Sequence, residues 1–365
     1  MRKFEYADEK IGAREIMIAG PAMIMGVGIL SLPRILTKEM IGSDGWVSIL
    51  LCGVLFICLA WGIAKIVSLF PGKSFTELTS TVASKPISII ITLMYAFLML
   101  HFASYTVSSF ANVTGKYIMY RTPFEVIAFA FFLVVIYAVS GSRVGLLRLN
   151  VMFFPIVIFI VLVVMVLGLS QVNSDNLLPV FQTDFKGYAR GVKSGLLSFV
   201  GISILWFYTP YMRHHDEAPG RAAFGIGFVT VIYLLLFIIT IGVFGHAVTS
   251  NLVYPTVELA KSIEIPGEFF ERFESLFFVI WIMILFNSAS MALDILTLAL
   301  TSIFTRFRKQ TVLYIVSPLV FFIAMVPEDV VELKIYGSLI GYTAFIYTMF
   351  VVVLLFLVMK IRGVR

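Results

Sequence analysis

Apolar runs alternate with short polar connections along the whole chain, and ten of these runs have the length and character of membrane-crossing helices. They lie at about residues 11–34, 46–70, 87–117, 124–140, 144–169, 188–212, 221–248, 276–304, 311–326 and 335–361. The third, at roughly 30 residues, must tilt or protrude, and the ninth is short. Between the second and third runs the polar stretch 73–85 reads as a loop or a surface helix. The longest connection, 249–275, holds a stretch at 256–263 flanked by Pro255 and Pro266. Its apolar residues recur at helical spacing, which predicts a helix lying on the membrane surface.

Composition supports this pattern. Hydrophobic residues make up 60% of the 365, charged residues 13%, and the mean hydropathy is +1.01, values that exclude a soluble domain of this size. The net charge of +6 reports topology, because Lys and Arg sit in short loops without the continuous basic face that nucleic acid requires. With the N-terminus inside, the inner segments hold the larger share of the 27 Lys and Arg and the outer ones most of the acidic residues. Both termini are therefore expected in the cytoplasm. Residues 1–14 mix both charges and lack an apolar core with a cleavage site, so the first span is read as an uncleaved anchor. Cys52 and Cys58, six apart in one apolar run, read as small buried hydrophobes.

Two spans are interrupted. In the first, Gly26-Val27-Gly28-Ile29-Leu30-Ser31-Leu32-Pro33-Arg34 places two glycines near mid-span and a proline just beyond. Glycine costs about 1 kcal/mol in a helix interior, and proline removes a backbone donor. Such a break survives in lipid only if its freed N–H and C=O groups meet protein, water or a ligand. The sixth span carries a second break at Phe199-Val200-Gly201-Ile202-Ser203, again followed by a proline, Pro210. First and sixth are corresponding positions if ten spans form two sets of five, and an odd number per set inverts one against the other. Paired breaks at such positions point to a small-molecule site at the membrane midplane. The amides of Gly28 to Leu30 and Gly201 to Ser203 are the expected donors, aimed at an anionic group such as a carboxylate.

The run from Gly26 to Arg34, the mixed-charge N-terminus, the ten-span layout and the length resemble the B subunit of spore germinant receptors, where a GxGILxLPR-like motif lies in the first helix. The resemblance covers essentially the whole chain. That family falls within the amino acid–polyamine–organocation permeases. The resemblance implies an all-α integral membrane protein of ten transmembrane helices in a five-plus-five inverted repeat, with helices one and six broken. It would be a single permease-fold domain, residues 1–365, with repeats at about 11–170 and 188–361. It further implies a spore inner-membrane location, a small-molecule germinant (an amino acid first, or a sugar), and two partners: a larger A-type membrane subunit and a C-type lipoprotein. Leu30 stands where many permeases of the superfamily carry an aromatic residue, and spans eleven and twelve are missing, which favours the germination family. The competing reading is a proton- or sodium-coupled transporter of amino acids that works without partners.

The expected ligand-binding residues are Gly26, Val27, Gly28, Ile29, Leu30, Leu98, Phe102, Phe199, Val200, Gly201, Ile202 and Ser203. His101, near the middle of the third span, is either a proton-sensitive gate or a neutral histidine bonded to a neighbouring helix. In the eighth span Asn287, Ser288 and Ser290 either bond other helices or, as in sodium-coupled members of the superfamily, help to hold a cation. Asp294, further along, is expected to pair with a basic residue toward the cytoplasmic side. The four histidines fall in three separate segments, His101, His214-His215 and His246, and no HExxH, Walker or GxSxG pattern occurs. The chain is read as a non-enzyme with no cofactor and no metal.

Overall fold

The computed structural model describes residues 10–263 and 273–363. Among them the chain is helical: α1 (Ala13–Glu39), α2 (Gly45–Ser68), α3 (Phe75–Val82), α4 (Lys85–Tyr117), α5 (Phe124–Ser140), α6 (Arg143–Leu169), α7 (Phe185–Gly195), α8 (Ile204–Tyr208), α9 (Ala218–Asn251), α10 (Pro255–Ser262), α11 (Phe273–Ile303), α12 (Lys309–Ala324) and α13 (Val330–Ile361). Seven segments are long and apolar enough to span a bilayer, and α1, taken across its bend, is an eighth. The shorter apolar helices α5 and α12 complete the ten expected segments, with α7 and α8 sharing the sixth.

Burial separates centre from periphery. The apolar window of α11 is 83% buried and that of the sixth span 78%, against 28% for α6 and for α13. The outer helices present residues such as Tyr137, Phe159, Phe322 and Ile346 outward, as lipid-facing surfaces do. Cys52 is buried as expected, whereas Cys58 lies on the outward face of α2, where an apolar environment outside the protein suits it equally well. Around the centre, α1 and α2 pack on α9, and α4 packs on α11.

Several elements differ from the sequence reading. The first helix runs through Pro33 to Glu39, five residues beyond Arg34, with the Thr37 hydroxyl donating to Pro33 O at 2.9 Å. The stretch at 256–263 is not a surface helix. Thr256, Val257, Leu259 and Ala260 of α10 are buried, so its apolar stripe faces the bundle, and Thr256 bonds α1. Residues 264–272 of that connection, including Pro266, lie outside the described residues. A bend in α9 at Gly245 (φ +71°) was not foreseen. There Gly242 O accepts from Asn173 N and Asn176 Nδ2, and His246 Nε2 lies 2.9 Å from Met40 O.

On the face away from the N-terminus, the connection between α6 and α7 is fastened to the start of α2. The carboxylate of Asp44 accepts the amides of Phe181 (2.5 Å) and Thr183 (2.8 Å). Burial opposes its charge, but those amides, with the side chains of Thr183 and Tyr188, outweigh it and hold the carboxyl below its ordinary value. The folded value thus lies below the unfolded one of about 3.9, so the stabilisation is complete above that pH and lost as pH falls through the folded value. Exchange of the Phe181 and Thr183 amides is therefore expected to be slow at pH 7 and to lose protection below about pH 4. Asp44→Asn should remove that pH dependence, a result that hydrogen-exchange mass spectrometry reads directly.

A midplane site built from two broken spans

Pro21 and Pro33 remove two donors from α1, and Gly26 and Gly28 leave the helix bare of side chains near its middle. The helix bends by 57° between Ala13–Gly26 and Gly28–Glu39. Carbonyls on both sides of the bend are met by α10 and α11 and, through Tyr233, by α9. The Ser288 hydroxyl on α11 lies 3.0 Å from Met23 O and 3.3 Å from Ala22 O. Trp281 Nε1, on the same helix, donates to Gly26 O at 3.2 Å, and the Thr256 hydroxyl of α10 donates to Ile29 O at 2.7 Å. With no water to satisfy them in the bilayer core, these groups need such partners.

The sixth span is fully interrupted. α7 ends at Gly195, residues 196–199 form a tight turn, Val200 is extended, and Gly201 has φ +125° before α8 resumes at Ile204. That φ belongs to glycine, and a Cβ there would stand 2.8 Å from Met23 Cγ of α1. Gly28 allows the reciprocal approach, since a Cβ on it would meet Ser198 O at 2.8 Å. One hydroxyl joins the two breaks: Tyr233 Oη of α9 lies 3.0 Å from Ile24 O and 3.1 Å from Ser198 O. Tyr233→Phe leaves those buried carbonyls short of a donor and is expected to lower stability by about 1–3 kcal/mol, measured as thermal unfolding in detergent micelles.

The expected site residues fall into three groups. Gly26, Gly28, Ile29, Phe199 and Gly201 sit where α1 and the sixth span meet α9, α10 and α11, with Phe199 stacked on Phe56 at 5.1 Å. Val200, Gly201, Ile202 and Ser203 also border a cavity of about 10 Å³ lined by Phe56, Phe345 and Thr348. The side chain of Val27 lies outside the described residues. A larger cavity, about 240 Å³, lies beyond the α1 bend on the face away from the N-terminus. Leu30 borders it, with Leu197 of the sixth span, Trp281 of α11 and Tyr105 and Ser109 of α4. Leu98 and Phe102 are buried on the same stripe of α4 as Tyr105 and Ser109, nearer the N-terminal face, since residues three and four apart align along a helix.

His101 stands apart from the breaks. Its Nδ1 lies 2.8 Å from Tyr336 Oη, so it bonds α13 at the edge of the bundle, in contact with the exposed ring of Phe97. On α11, Ser288 touches the α1 carbonyls, Ser290 donates to Phe286 O of its own helix at 2.6 Å, and Asn287 is buried with Oδ1 unpartnered.

On the N-terminal face, Asp294 of α11 has the basic partners anticipated for it. Its Oδ2 accepts from Arg143 Nε at 2.7 Å and from the Tyr208 hydroxyl at 3.2 Å, and Lys309 Nζ lies 3.0 Å from Oδ1. Arg143 also donates to Tyr211 Oη at 3.1 Å. The cluster ties the starts of α6 and α12 to α11 and to the end of α8, the short helix that resumes after Gly201. Sequence reading missed Tyr233, Trp281, Arg143 and Lys309 as members of these sites. Their residue types are common in membrane helices, and only the fold brings them to the breaks and to Asp294.

The family of spore germination proteins matches residues 10–333. The chain belongs to it. Membership makes this spore permease-family protein a relative of B-type germinant-receptor subunits, a membrane protein of germinant sensing and not an enzyme. Spore germination protein GerLB of Bacillus cereus is 34% identical over 344 residues, covering 94% of this chain and 92% of that protein. Spore germination protein B2 of Bacillus subtilis (strain 168) is 28% identical over the same shares of each chain. Among solved structures, MhsT in complex with L-phenylalanine superposes with TM-score 0.65 at 12% identity, covering 95% of this chain and 97% of that one. Mhp1, a nucleobase-cation-symport-1 family transporter in a closed conformation with bromovinylhydantoin bound, gives 0.67 at 14% identity, covering 92% and 76%. The spore permease-family chain therefore has the all-α fold of these transporters.

Proposed function

We propose that this chain is the nutrient-sensing subunit of a spore germinant receptor, and that it binds a small molecule between the breaks of α1 and the sixth span. An amino acid is the first candidate ligand, because backbone amides at resumed half-helices suit a carboxylate. The observation that carries the reading is the meeting of the two breaks under one shared hydroxyl, Tyr233, next to a cavity of about 240 Å³. A ligand inserted there favours one arrangement of the two repeats, residues 11–170 and 188–361, and partners read the change as a population shift. Those partners are an A-type membrane subunit and a C-type lipoprotein. The protein sits in the spore inner membrane with both termini in the cytoplasm, which puts the larger cavity on the outer side.

His101, hydrogen-bonded to Tyr336, is the proton-sensitive element of this scheme. Asn287, Ser288 and Ser290 are its ion-related set: Ser288 serves as a tether to α1, and Asn287 Oδ1 is the oxygen left for a cation. Germination of spores carrying Gly201→Leu tests the ligand assignment, and a normal nutrient response from well-folded protein would overturn it. The transporter fold favours one alternative, coupled transport without partners, which predicts accumulation of substrate driven by an ion gradient.

A further inference from the structure

The larger cavity carries an unbalanced charge. Arg34 and Lys38 of α1 and Lys334 of α13 line it against one carboxylate, Glu39. Glu39 is already engaged, 3.5 Å from Arg190 Nε and 3.4 Å from Ser194 Oγ. Among the described residues none of the three cations forms an ion pair, and Arg34 Nε is buried without a hydrogen-bond partner. Like charges around a partly enclosed space repel one another, and an anion among them relieves that repulsion. A guanidinium presents a planar fork of donors that matches a carboxylate with two parallel bonds. Around this charged wall, Leu30, Tyr105, Tyr254 and Trp281 supply an apolar and aromatic lining for the rest of a ligand.

We propose that this cavity is a binding site for a small carboxylate-bearing molecule, its carboxylate held by Arg34 and flanked by Lys38 and Lys334. The site adjoins the midplane one, sharing Leu30 with it, but is distinct from the breaks themselves, because none of Gly26, Gly28 and Gly201 lines it. It gives an anionic or zwitterionic nutrient a first position beside the α1 bend.

The test is isothermal titration of the purified full-length chain with the L-amino acids and, for any that binds, the matching amino acid amide. At least one amino acid is expected to bind, with its amide at least tenfold weaker. Arg34→Gln should weaken binding tenfold or more, Lys334→Gln several-fold, and rising salt should weaken the wild type. Should Arg34→Gln fail to fold, the acid–amide comparison and Lys334→Gln decide the matter. Equal affinity for acid and amide, unchanged binding in both charge variants, or no binding by any amino acid overturns the inference. Binding lost in Gly201→Leu but intact in Arg34→Gln and Lys334→Gln also overturns it, and leaves the midplane reading standing. The reverse pattern supports the cavity and contradicts the midplane reading.

Discussion

Asp294→Ala is expected to destabilise the protein by about 3–5 kcal/mol, the cost of leaving buried charges without their partner. Asp294 is fully buried, and its two oxygens take Arg143, Lys309 and Tyr208 within 3.2 Å. Without the carboxylate, two partly buried cations face each other, with only the Tyr211 hydroxyl and Gly141 O left to them as acceptors. Replacing the inner pair together, Asp294→Leu with Arg143→Met, should recover much of the loss, because an apolar pair of similar size avoids the desolvation cost and the more exposed Lys309 can turn to water. Thermal unfolding of the single and double variants in detergent makes the comparison, and an alanine variant as stable as wild type would contradict it. The functional consequence follows from connectivity. Tyr208 ends α8, so the short helix that follows the Gly201 break carries a member of the charge cluster. Under the proposed binding at the break, weakening the cluster is expected to change the ligand concentration needed for a response.

Gly201→Leu is expected to weaken ligand binding at least tenfold and to abolish the germination response. Leucine has no comfortable conformation at φ +125°, which costs roughly 1–3 kcal/mol, and its side chain would be driven into Met23 of α1. The two breaks would be pushed apart at the place where Tyr233 joins them. Gly201→Ala, with the same backbone penalty and far less bulk, should give an intermediate effect. Ligand dose–response curves of spores carrying each variant, with protein levels checked, distinguish the three cases.

Much of this molecule is legible in its sequence, and the legible parts share a cause. Spans are set by local hydropathy, so all ten segments are found where apolar runs predict them. The break of the sixth span is legible because Gly201 is needed locally, for a φ that other residues avoid. The polar stretch 73–85, read as a loop or a surface helix, holds the short helix α3, which Ser74 and Glu77 open with a capping box. What sequence does not reveal are contacts between distant segments. Thr256 looks like part of a surface helix until its hydroxyl is seen on Ile29 O, 227 residues away. Tyr233 sits inside an apolar run with nothing to mark it, yet it joins α1 to the sixth span. Arg34 and Lys334 count as loop charges in a topology argument, and only the fold brings them to one cavity.

The most direct test of the central claim uses the purified chain in proteoliposomes, with labelled amino acids supplied under imposed proton and sodium gradients. A small-molecule sensor built on a transporter fold predicts saturable binding of one compound, weakened at least tenfold by Gly201→Leu, with no accumulation under either gradient. Gradient-driven accumulation inside the vesicles, or binding by Gly201→Leu as tight as that of the wild type, would contradict it.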